Sequence, residues 1–324
     1  MFRVGLIGAG WIAADHVAAL AKRDDTELVA VCDVDRARAE QLAPAGAAVY
    51  EDWHELLDRD QLDALWVCVP PLAHREPTVA ALERGMHVYL EKPVARTAED
   101  AGAIVAAAER NGAVCAVGYQ WHATEVVDDL RSALEGQEVS LLLGRSIGPT
   151  GSRPWFLDRA QGGGNVLERG SHQIDLVRTV AGDVARVQAA SSSVLLGQAE
   201  GERGDIEDAA TLVLQHEGGA LSTIVVGWTR QGLPGIYDLG VVASEATLEL
   251  KLDPDFMLHG ISKGEAVEAR GTQHPFERSI DRFFEAVLAG DPALVFCTPR
   301  DAARTLAVAN ACERALASGE TVDV

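Results

Sequence analysis

The sequence predicts an α/β protein: an amino-terminal Rossmann domain with a doubly wound parallel sheet, then an α+β domain with a large, mostly antiparallel, open-faced sheet. Up to about residue 118, short apolar runs alternate with helical patterns, which is typical of parallel strands covered by helices on both faces. After about residue 120 the apolar segments are longer and partly alternate with polar residues, as antiparallel strands do.

The first domain is assigned to residues 1–120. It opens with the strand FRVGLIG and continues as alternating helices and strands. The strands ELVAVCD, AAVY, ALWVCVP, HVYLEKP and AVCAVGY alternate with helices predicted near residues 11–22, 35–43, 52–58, 73–84 and 97–111.

The second domain is assigned to residues 121–324, and its final helix can pack back on the Rossmann domain. Helices are predicted near residues 124–135, 276–289 and 299–317. The strands lie in EVSLLLGRSIG, RVQAASSSVLL, AATLVLQHEGGALSTIVVGW and IYDLGVVASEATLEL, where EGG indicates a hairpin turn. The loop at 148–164 combines glycine and proline with Arg153, Trp155, Phe156 and Arg159, which is typical of a binding-site loop or of a plain surface crossover.

Composition excludes several classes of function. Hydrophobic residues make up 48% of the chain and charged residues 24%, and no apolar run approaches the ~20 residues that span a bilayer. A formal charge of −21 disfavours binding to nucleic acid or to anionic membranes. The amino terminus has no signal-peptide pattern, which favours the cytoplasm. The five cysteines form no CxxC pair, so we expect neither disulfides nor a structural metal.

The glycine-rich turn GAGWIA lies between the first strand and the first helix. Gly8, Gly10 and Ala13 match G-x-G-x-x-[G/A], in which the first glycine permits the turn and the second admits a pyrophosphate. The third position allows the helix to pack closely on the strand. At this place in the fold, the pattern predicts a dinucleotide diphosphate at the helix N-terminus.

The end of the second strand indicates which dinucleotide is bound. Asp33 lies 20 residues beyond Ala13, where a carboxylate accepts hydrogen bonds from the adenosine ribose and favours NAD over NADP. Two alternatives stay open: Asp33 or Asp35 only caps the next helix, or Arg36 and Arg38 meet the 2′-phosphate of NADP.

Three segments together resemble the Gfo/Idh/MocA oxidoreductase family. They are GAGWIA, residues 69–95 and residues 162–182, and the resemblance spans nearly the whole chain. Its most specific parts are the tripeptide Glu91-Lys92-Pro93, the spacing of His74 before it, and the GxHxxD pattern. The resemblance implies that the cofactor-binding residues are Gly8, Gly10, Trp11, Ile12, Asp33, Pro70, His74, Glu91 and Lys92.

The residues of the tripeptide and of GxHxxD suggest a reaction. Lys92 follows a buried strand at the edge where Rossmann sheets bind ligands, and an ammonium there can stabilise oxygen charge as hydride leaves. His172 is the candidate general base, because an imidazole can take and return a hydroxyl proton. Glu168 and Asp175 share its face if the stretch is helical, and can orient the ring or bind substrate. A surface lysine and a structural histidine are the plainer interpretations.

Two departures from the family pattern concern the substrate. Glu168 stands where the family usually has Asp, and GYQWH at 118–122 replaces a Phe-Asn-Arg-Arg type of sequence. Trp121, His122, Trp155 and Tyr237 are candidates for an aromatic platform that binds a sugar ring, and core packing explains each of them equally well. The candidate substrate-binding residues are Lys92, Trp121, Trp155, Glu168, His172 and Asp175, with His122 and Tyr237 as further members of the platform.

The sequence therefore predicts an NAD-dependent oxidoreductase that transfers hydride between nicotinamide and a secondary hydroxyl or ketone of a sugar, cyclitol or related polyol. One alternative is transient oxidation with recycled NAD, giving epimerisation, elimination or glycoside cleavage. A second is a non-catalytic NAD-binding sensor. A third, an aldehyde dehydrogenase, needs a nucleophilic cysteine beside a histidine at the edge of the second domain, and the absence of cysteine between Cys115 and Cys297 disfavours it. For assembly, the resemblance implies a homodimer or homotetramer built through the open face of the second sheet.

Overall fold

The computed structural model describes residues 1–59, 61–149, 154–195, 206–230 and 232–324, so Arg153 of the predicted binding loop lies outside the described residues. The chain divides into two compact units. The first comprises residues 1–120 and 275–303, and the second comprises residues 121–274 and 304–324. Residues 275–303, which we assigned by sequence to the second domain, thus belong to the first unit.

Ten α-helices and fifteen strands are present in the described part of the chain. The helices are α1 (Trp11–Leu20), α2 (Arg36–Leu42), α3 (Trp53–Arg59), α4 (Arg75–Glu83), α5 (Ala98–Asn111), α6 (Glu125–Ala133), α7 (Arg159–Gly162), α8 (Ser171–Ala181), α9 (Pro275–Ala289) and α10 (Pro299–Ser318). None of the described helices is both long and apolar enough to cross a bilayer.

The first unit contains a six-stranded parallel sheet in the order β3-β2-β1-β4-β5-β6. Its strands are β1 (Phe2–Ile7), β2 (Thr26–Cys32), β3 (Ala48–Tyr50), β4 (Ala64–Val67), β5 (His87–Leu90) and β6 (Cys115–Val117). The chain runs outward from β1 in both directions, so the predicted doubly wound Rossmann sheet is confirmed. Ligand sites of such sheets lie beyond the carboxyl ends of the strands.

An aromatic core explains why α9 belongs to the first unit. Phe283 and Phe284 on α9 are fully buried together with Trp66 of β4 and Tyr89 of β5. The rings of Trp66 and Tyr89 stack with centroids 5.3 Å apart, and Phe283 meets Trp66 edge-on at 5.2 Å. Aromatic rings bury large apolar areas, so this packing holds α9 on the sheet.

The second unit contains a nine-stranded sheet in the order β14-β13-β12-β11-β7-β10-β9-β8-β15. Its strands are β7 (Val139–Pro149), β8 (Val184–Ser192), β9 (Ala209–His216), β10 (Leu221–Thr229), β11 (Ile236–Ala243), β12 (Ala246–Lys251), β13 (Met257–Ser262), β14 (Glu265–Arg270) and β15 (Val322–Asp323). The predicted, mostly antiparallel sheet is confirmed, with β7 and β10 as its parallel pair.

Helix α8 is fixed to this sheet by a buried amide. The side chain of Gln173 is fully buried and donates from Nε2 to the carbonyl oxygens of Arg145 (2.9 Å) and Asp238 (3.0 Å) on β7 and β11. Gly144 makes room for it, because a Cβ there would lie 2.5 Å from Gln173 Oε1. Two hydrogen bonds from one buried group fix the position of the helix that carries His172.

Candidate active site

The turn between β1 and α1 has the geometry of a diphosphate cradle. Gly8 has φ +94°, and a Cβ there would lie 2.5 Å from the carbonyl oxygen of Cys68, so a side chain does not fit. Gly10 is the N-cap of α1 and provides no side-chain cap. The first amides of α1 therefore offer donors and a positive dipole end to an anion, and the residues fit the diphosphate of a dinucleotide.

The three residues that follow Gly10 differ in how deeply they are buried. Ala13 is fully buried in the core of the first unit, which is the close packing that the motif requires. Ile12 is half-buried and Trp11 is 71% exposed. Ile12 packs against the same core as Ala13.

Asp33 at the end of β2 is directed towards the glycine-rich turn. Its Oδ2 accepts from the amide of Ala9 at 2.7 Å, and its Oδ1 accepts from the amide of Asp35 at 2.9 Å. The helix cap is Asp35, whose carboxylate accepts from the amide of Ala37 at 3.1 Å. Helix capping, which the sequence left open for both residues, is thus the role of Asp35.

His74 links two loops at the ligand edge of the first sheet. Its side chain is fully buried, with Nε2 2.8 Å from the carbonyl oxygen of Val69 and Nδ1 3.4 Å from that of Val94. Burial lowers the pKa of His74 below the ordinary histidine value. Pro70, in the first of these loops, is exposed. His74 thus joins the loop that contains Val69 to the loop that contains Val94.

Lys92 follows β5 at the carboxyl edge of the sheet, where ligands bind, and is half-buried. The Lys92–Pro93 peptide is cis. The preceding residue, Glu91, is only 5% exposed. Its Oε1 lies 2.7 Å from Nε2 of His16, and its Oε2 accepts from the amide of Lys92 at 3.0 Å. The carboxylate of Glu91, predicted to bind cofactor, is thus directed into the protein.

In the second unit, Glu168 and His172 lie on one continuous helical stretch. A π-helical segment, Val166–Gly170, contains Glu168 and runs directly into α8, which contains His172 and Asp175. Both Glu168 and His172 are half-buried. Single π-helical turns in α-helices are frequent at functional sites, and the stretch is helical as the predicted shared face required.

Aromatic rings pack against the candidate base. The ring centroid of Trp121 lies 4.9 Å from that of His172 and 5.8 Å from that of Tyr237. Only 8% of Trp121 is exposed, so packing accounts for most of its surface. Trp155 is half-buried, in the 3-10 turn Pro154–Leu157. Trp121 therefore restricts the imidazole of His172 from one side.

Asp175 is buried and faces polar groups of its own unit. Its Oδ2 lies 3.3 Å from Nδ1 of His122, and its Oδ1 accepts from the hydroxyl of Thr305 at 3.4 Å. His122 is itself 9% exposed. These contacts make Asp175 part of a polar cluster beneath α8.

Sequence patterns did not indicate several buried polar residues, among them His16, Gln173 and Glu207. Glu207 is 3% exposed, and its Oε1 accepts from the amides of Asn165 (2.9 Å) and Val166 (3.2 Å), where the π-helical segment begins. Its other oxygen pairs with Arg159. The available signal was a polar residue within an apolar pattern, as for His16 among the buried positions Ala13, Ala19 and Leu20 of α1.

Four of the five cysteines lack the properties of a nucleophile. Cys32, Cys68, Cys115 and Cys312 are buried, and burial raises their thiol pKa values, to about 12 for Cys32, Cys115 and Cys312. A nucleophilic cysteine needs a lowered pKa because the thiolate is the reactive form. This environment argues against a mechanism through any of these four thiols.

Comparisons with known proteins give a family for each part of the chain. Residues 2–119 match a family model described as "Oxidoreductase family, NAD-binding Rossmann fold", and residues 137–249 match "GFO/IDH/MocA C-terminal domain". Together these two matches include the glycine-rich turn, the Glu91-Lys92-Pro93 tripeptide and the helical stretch with His172.

Similar proteins are named as dehydrogenases or oxidoreductases. The chain is 29% identical to a myo-inositol 2-dehydrogenase of Thermotoga maritima over 68% of this chain and 67% of that one. It is 35% identical to a D-glucoside 3-dehydrogenase of Escherichia coli over 56% of this chain and 54% of that one. A crystal structure of an oxidoreductase domain protein from Kribbella flavida has the same fold, with a TM-score of 0.88, 24% identity and full coverage of both chains.

Proposed function

Because this chain belongs to the Gfo/Idh/MocA family of oxidoreductases, we propose that it transfers hydride between NAD and a secondary hydroxyl or ketone of a sugar, cyclitol or related polyol. The observation that carries the proposal is Lys92, which follows β5 at the ligand edge of a Rossmann sheet whose glycine-rich turn fits a diphosphate. The names of the relatives, which act on inositol and on glucosides, support a polyol substrate.

The residues of the chain have distinct roles in this proposal. Bound NAD supplies the hydride acceptor for the oxidation. Lys92 donates a hydrogen bond from Nζ to the substrate oxygen and stabilises its developing charge. His172 accepts the hydroxyl proton at a ring nitrogen and returns it during reduction. Glu168 binds substrate hydroxyls from the π-helical segment, and Asp175 supports the helix that carries His172.

Charge around Asp33 supports NAD as the cofactor. The carboxylate would repel a 2′-phosphate but can accept from a ribose hydroxyl. The two arginines that follow Asp33 in the sequence have carboxylate partners of their own. Nε of Arg36 lies 2.9 Å from Oε1 of Glu40, and Nε of Arg38 lies 3.2 Å from Oδ2 of Asp35. Binding a 2′-phosphate would need these pairs to open.

We expect Asp33→Asn to lower the preference for NAD over NADP, measured as the ratio of their kcat/KM values, by about tenfold or more. The reason is the loss of a charged acceptor for the ribose and of repulsion towards the 2′-phosphate. The control is Asp291→Asn, which weakens the N-cap of the 3-10 turn Pro292–Leu294 and leaves the ratio unchanged. An unchanged ratio in Asp33→Asn would mean that Asp33 only supports the turn through Ala9.

The proposed reaction is tested by incubating the protein with oxidised NAD and a panel of cyclitols, aldoses and glycosides while the absorbance of the reduced cofactor is followed. Production of NADH with at least one substrate supports the proposal. Product formed without NADH would favour recycling of the cofactor in epimerisation, elimination or glycoside cleavage. Cofactor binding without product across the panel would favour a sensor.

We also propose that the chain assembles into a homodimer or homotetramer through the open face of the nine-stranded sheet. Paired strands place apolar side chains on that face, where Leu143 is 48% exposed, Ile261 57% and Leu221 38%. The ion pair of Glu249 and His259 lies on the same face. An apolar face with polar groups among its side chains is typical of a protein interface.

Leu143→Asp is expected to dissociate the assembly, because it would bury a charge in the interface. Light scattering should give the mass of several chains for the wild type and of one chain for the variant. Leu288→Asp is the control, since Leu288 is 71% exposed on α9 and does not belong to the sheet. A wild-type mass of one chain would contradict the proposed assembly.

A further inference from the structure

A buried histidine and a buried carboxylate meet inside the first unit. His16 of α1 is fully buried, and its Nε2 lies 2.7 Å from Oε1 of Glu91 at the end of β5. The rings of Tyr89 and Phe276 flank the imidazole, with centroids 5.2 and 4.9 Å away. Among the described residues, Nδ1 of His16 has no hydrogen-bond partner. Burying an imidazole among apolar rings costs free energy unless it makes a hydrogen bond. The contact with Glu91 supplies that hydrogen bond for His16.

The surroundings of Glu91 fix its position closely. Its amide donates to the carbonyl oxygen of Val67 on β4 at 3.0 Å, and the amide of Gly118 donates to that of Leu90 at 2.8 Å. Gly118 also leaves space for the carboxylate, because a Cβ there would lie 3.1 Å from Oε1. The main chain at the end of β5 is thus held from both neighbouring strands.

The second oxygen of this carboxylate reaches the residue proposed to act on the substrate. Oε2 of Glu91 accepts from the amide of Lys92 at 3.0 Å, while Oε1 meets His16. A carboxylate that accepts two hydrogen bonds can adopt few rotamers. His16 therefore controls the orientation of Glu91, and Glu91 controls the peptide from which the Lys92 side chain departs.

We propose that His16 is a positioning residue for Lys92, acting through Glu91 and never touching the substrate. This inference rests on the proposed role of Lys92. Helix α1 carries Gly10 at its N-cap and His16 further along, so one helix provides both the diphosphate cradle and the support of the lysine. A shift of a reacting group by about 1 Å can cost on the order of 100-fold in rate, so a residue that only positions can have a large effect.

The test compares His16→Leu, which removes the polar contact, with His16→Gln, whose amide can still donate to Glu91. We expect His16→Leu to lower kcat by at least about tenfold, with little change in substrate KM or in NADH affinity measured by fluorescence. His16→Gln is expected to recover most of the loss. The matched control is His216→Leu, which removes another buried histidine, bonded to Ser222 at 2.7 Å, and should leave kcat unchanged.

A double-mutant cycle separates positioning from general destabilisation. If His16 acts through Lys92, adding His16→Leu to Lys92→Ala causes no further loss of the residual rate. Equal losses in both backgrounds, or a wild-type kcat in His16→Leu, would overturn the inference. If His16→Leu does not fold, the same cycle with Glu91→Gln, which keeps the shape of the side chain, decides between these outcomes.

The proposed function and this inference fail in different ways. Near-wild-type turnover by Lys92→Ala removes the role of the lysine itself. Loss of turnover in Lys92→Ala together with full turnover in His16→Leu removes only the role of His16.

Discussion

Lys92→Ala is expected to lower kcat at least about 100-fold while NADH binds with unchanged affinity. In the proposed reaction the ammonium donates a hydrogen bond to an oxygen that gains negative charge as hydride leaves. Losing one such donor typically costs about two to three orders of magnitude in rate. Cofactor affinity should persist because Gly8, Gly10 and Asp33 hold their own contacts without the lysine. The measurements are steady-state kinetics with NAD and fluorescence titration with NADH.

Two further variants define what Lys92 supplies. Lys92→Arg keeps the positive charge but replaces a compact ammonium with a planar fork, so we expect only partial activity. Lys22→Ala removes a lysine whose side chain is 64% exposed and paired with Glu277, and should leave kcat unchanged. If Lys92→Ala instead lost NADH affinity at normal kcat, the lysine would be a cofactor-binding residue. Near-normal values of both would leave it without a role in the reaction.

Local patterns were sufficient to predict the first unit up to residue 120. Each strand there pairs in parallel with neighbours in the order usual for a Rossmann sheet. The helices follow from apolar periodicity, and α2 and α5 also begin at side-chain caps, Asp35 and Thr97. The start of α4 was predicted too early because Pro70 and Pro71 first direct the chain into the 3-10 turn Pro71–Ala73.

Long-range packing accounts for what the sequence did not reveal. The pattern of α9 predicts an apolar face but not the surface that it covers, and Phe283 and Phe284 place it on the first sheet. The parallel pairing of β7 with β10 joins strands about 80 residues apart, with no local turn to indicate it. Glu91 could be assigned to the candidate site, but its contact with His16 spans 75 residues and required the folded structure.

His172→Ala is expected to lower the rate of substrate oxidation at least about 100-fold, because no group then accepts the hydroxyl proton. The structure offers a further readout. His172 is half-buried against Trp121, so removing the imidazole leaves space beside that ring. Added free imidazole should therefore restore part of the rate in His172→Ala and should not accelerate the wild type.

The control is His54→Ala, since His54 has an exposed side chain on α3 paired with Asp52, and this variant should show neither loss nor rescue. Free imidazole can replace a missing proton acceptor, but it cannot replace a histidine whose role is only structural. A loss of rate in His172→Ala that free imidazole does not repair would therefore contradict the assignment of His172 as the base. The result also bears on the alternatives. Oxidation with recycled NAD needs the same base and predicts the same loss, measured as product formed. A non-catalytic sensor has no turnover, so rescue of His172→Ala by imidazole would exclude that alternative.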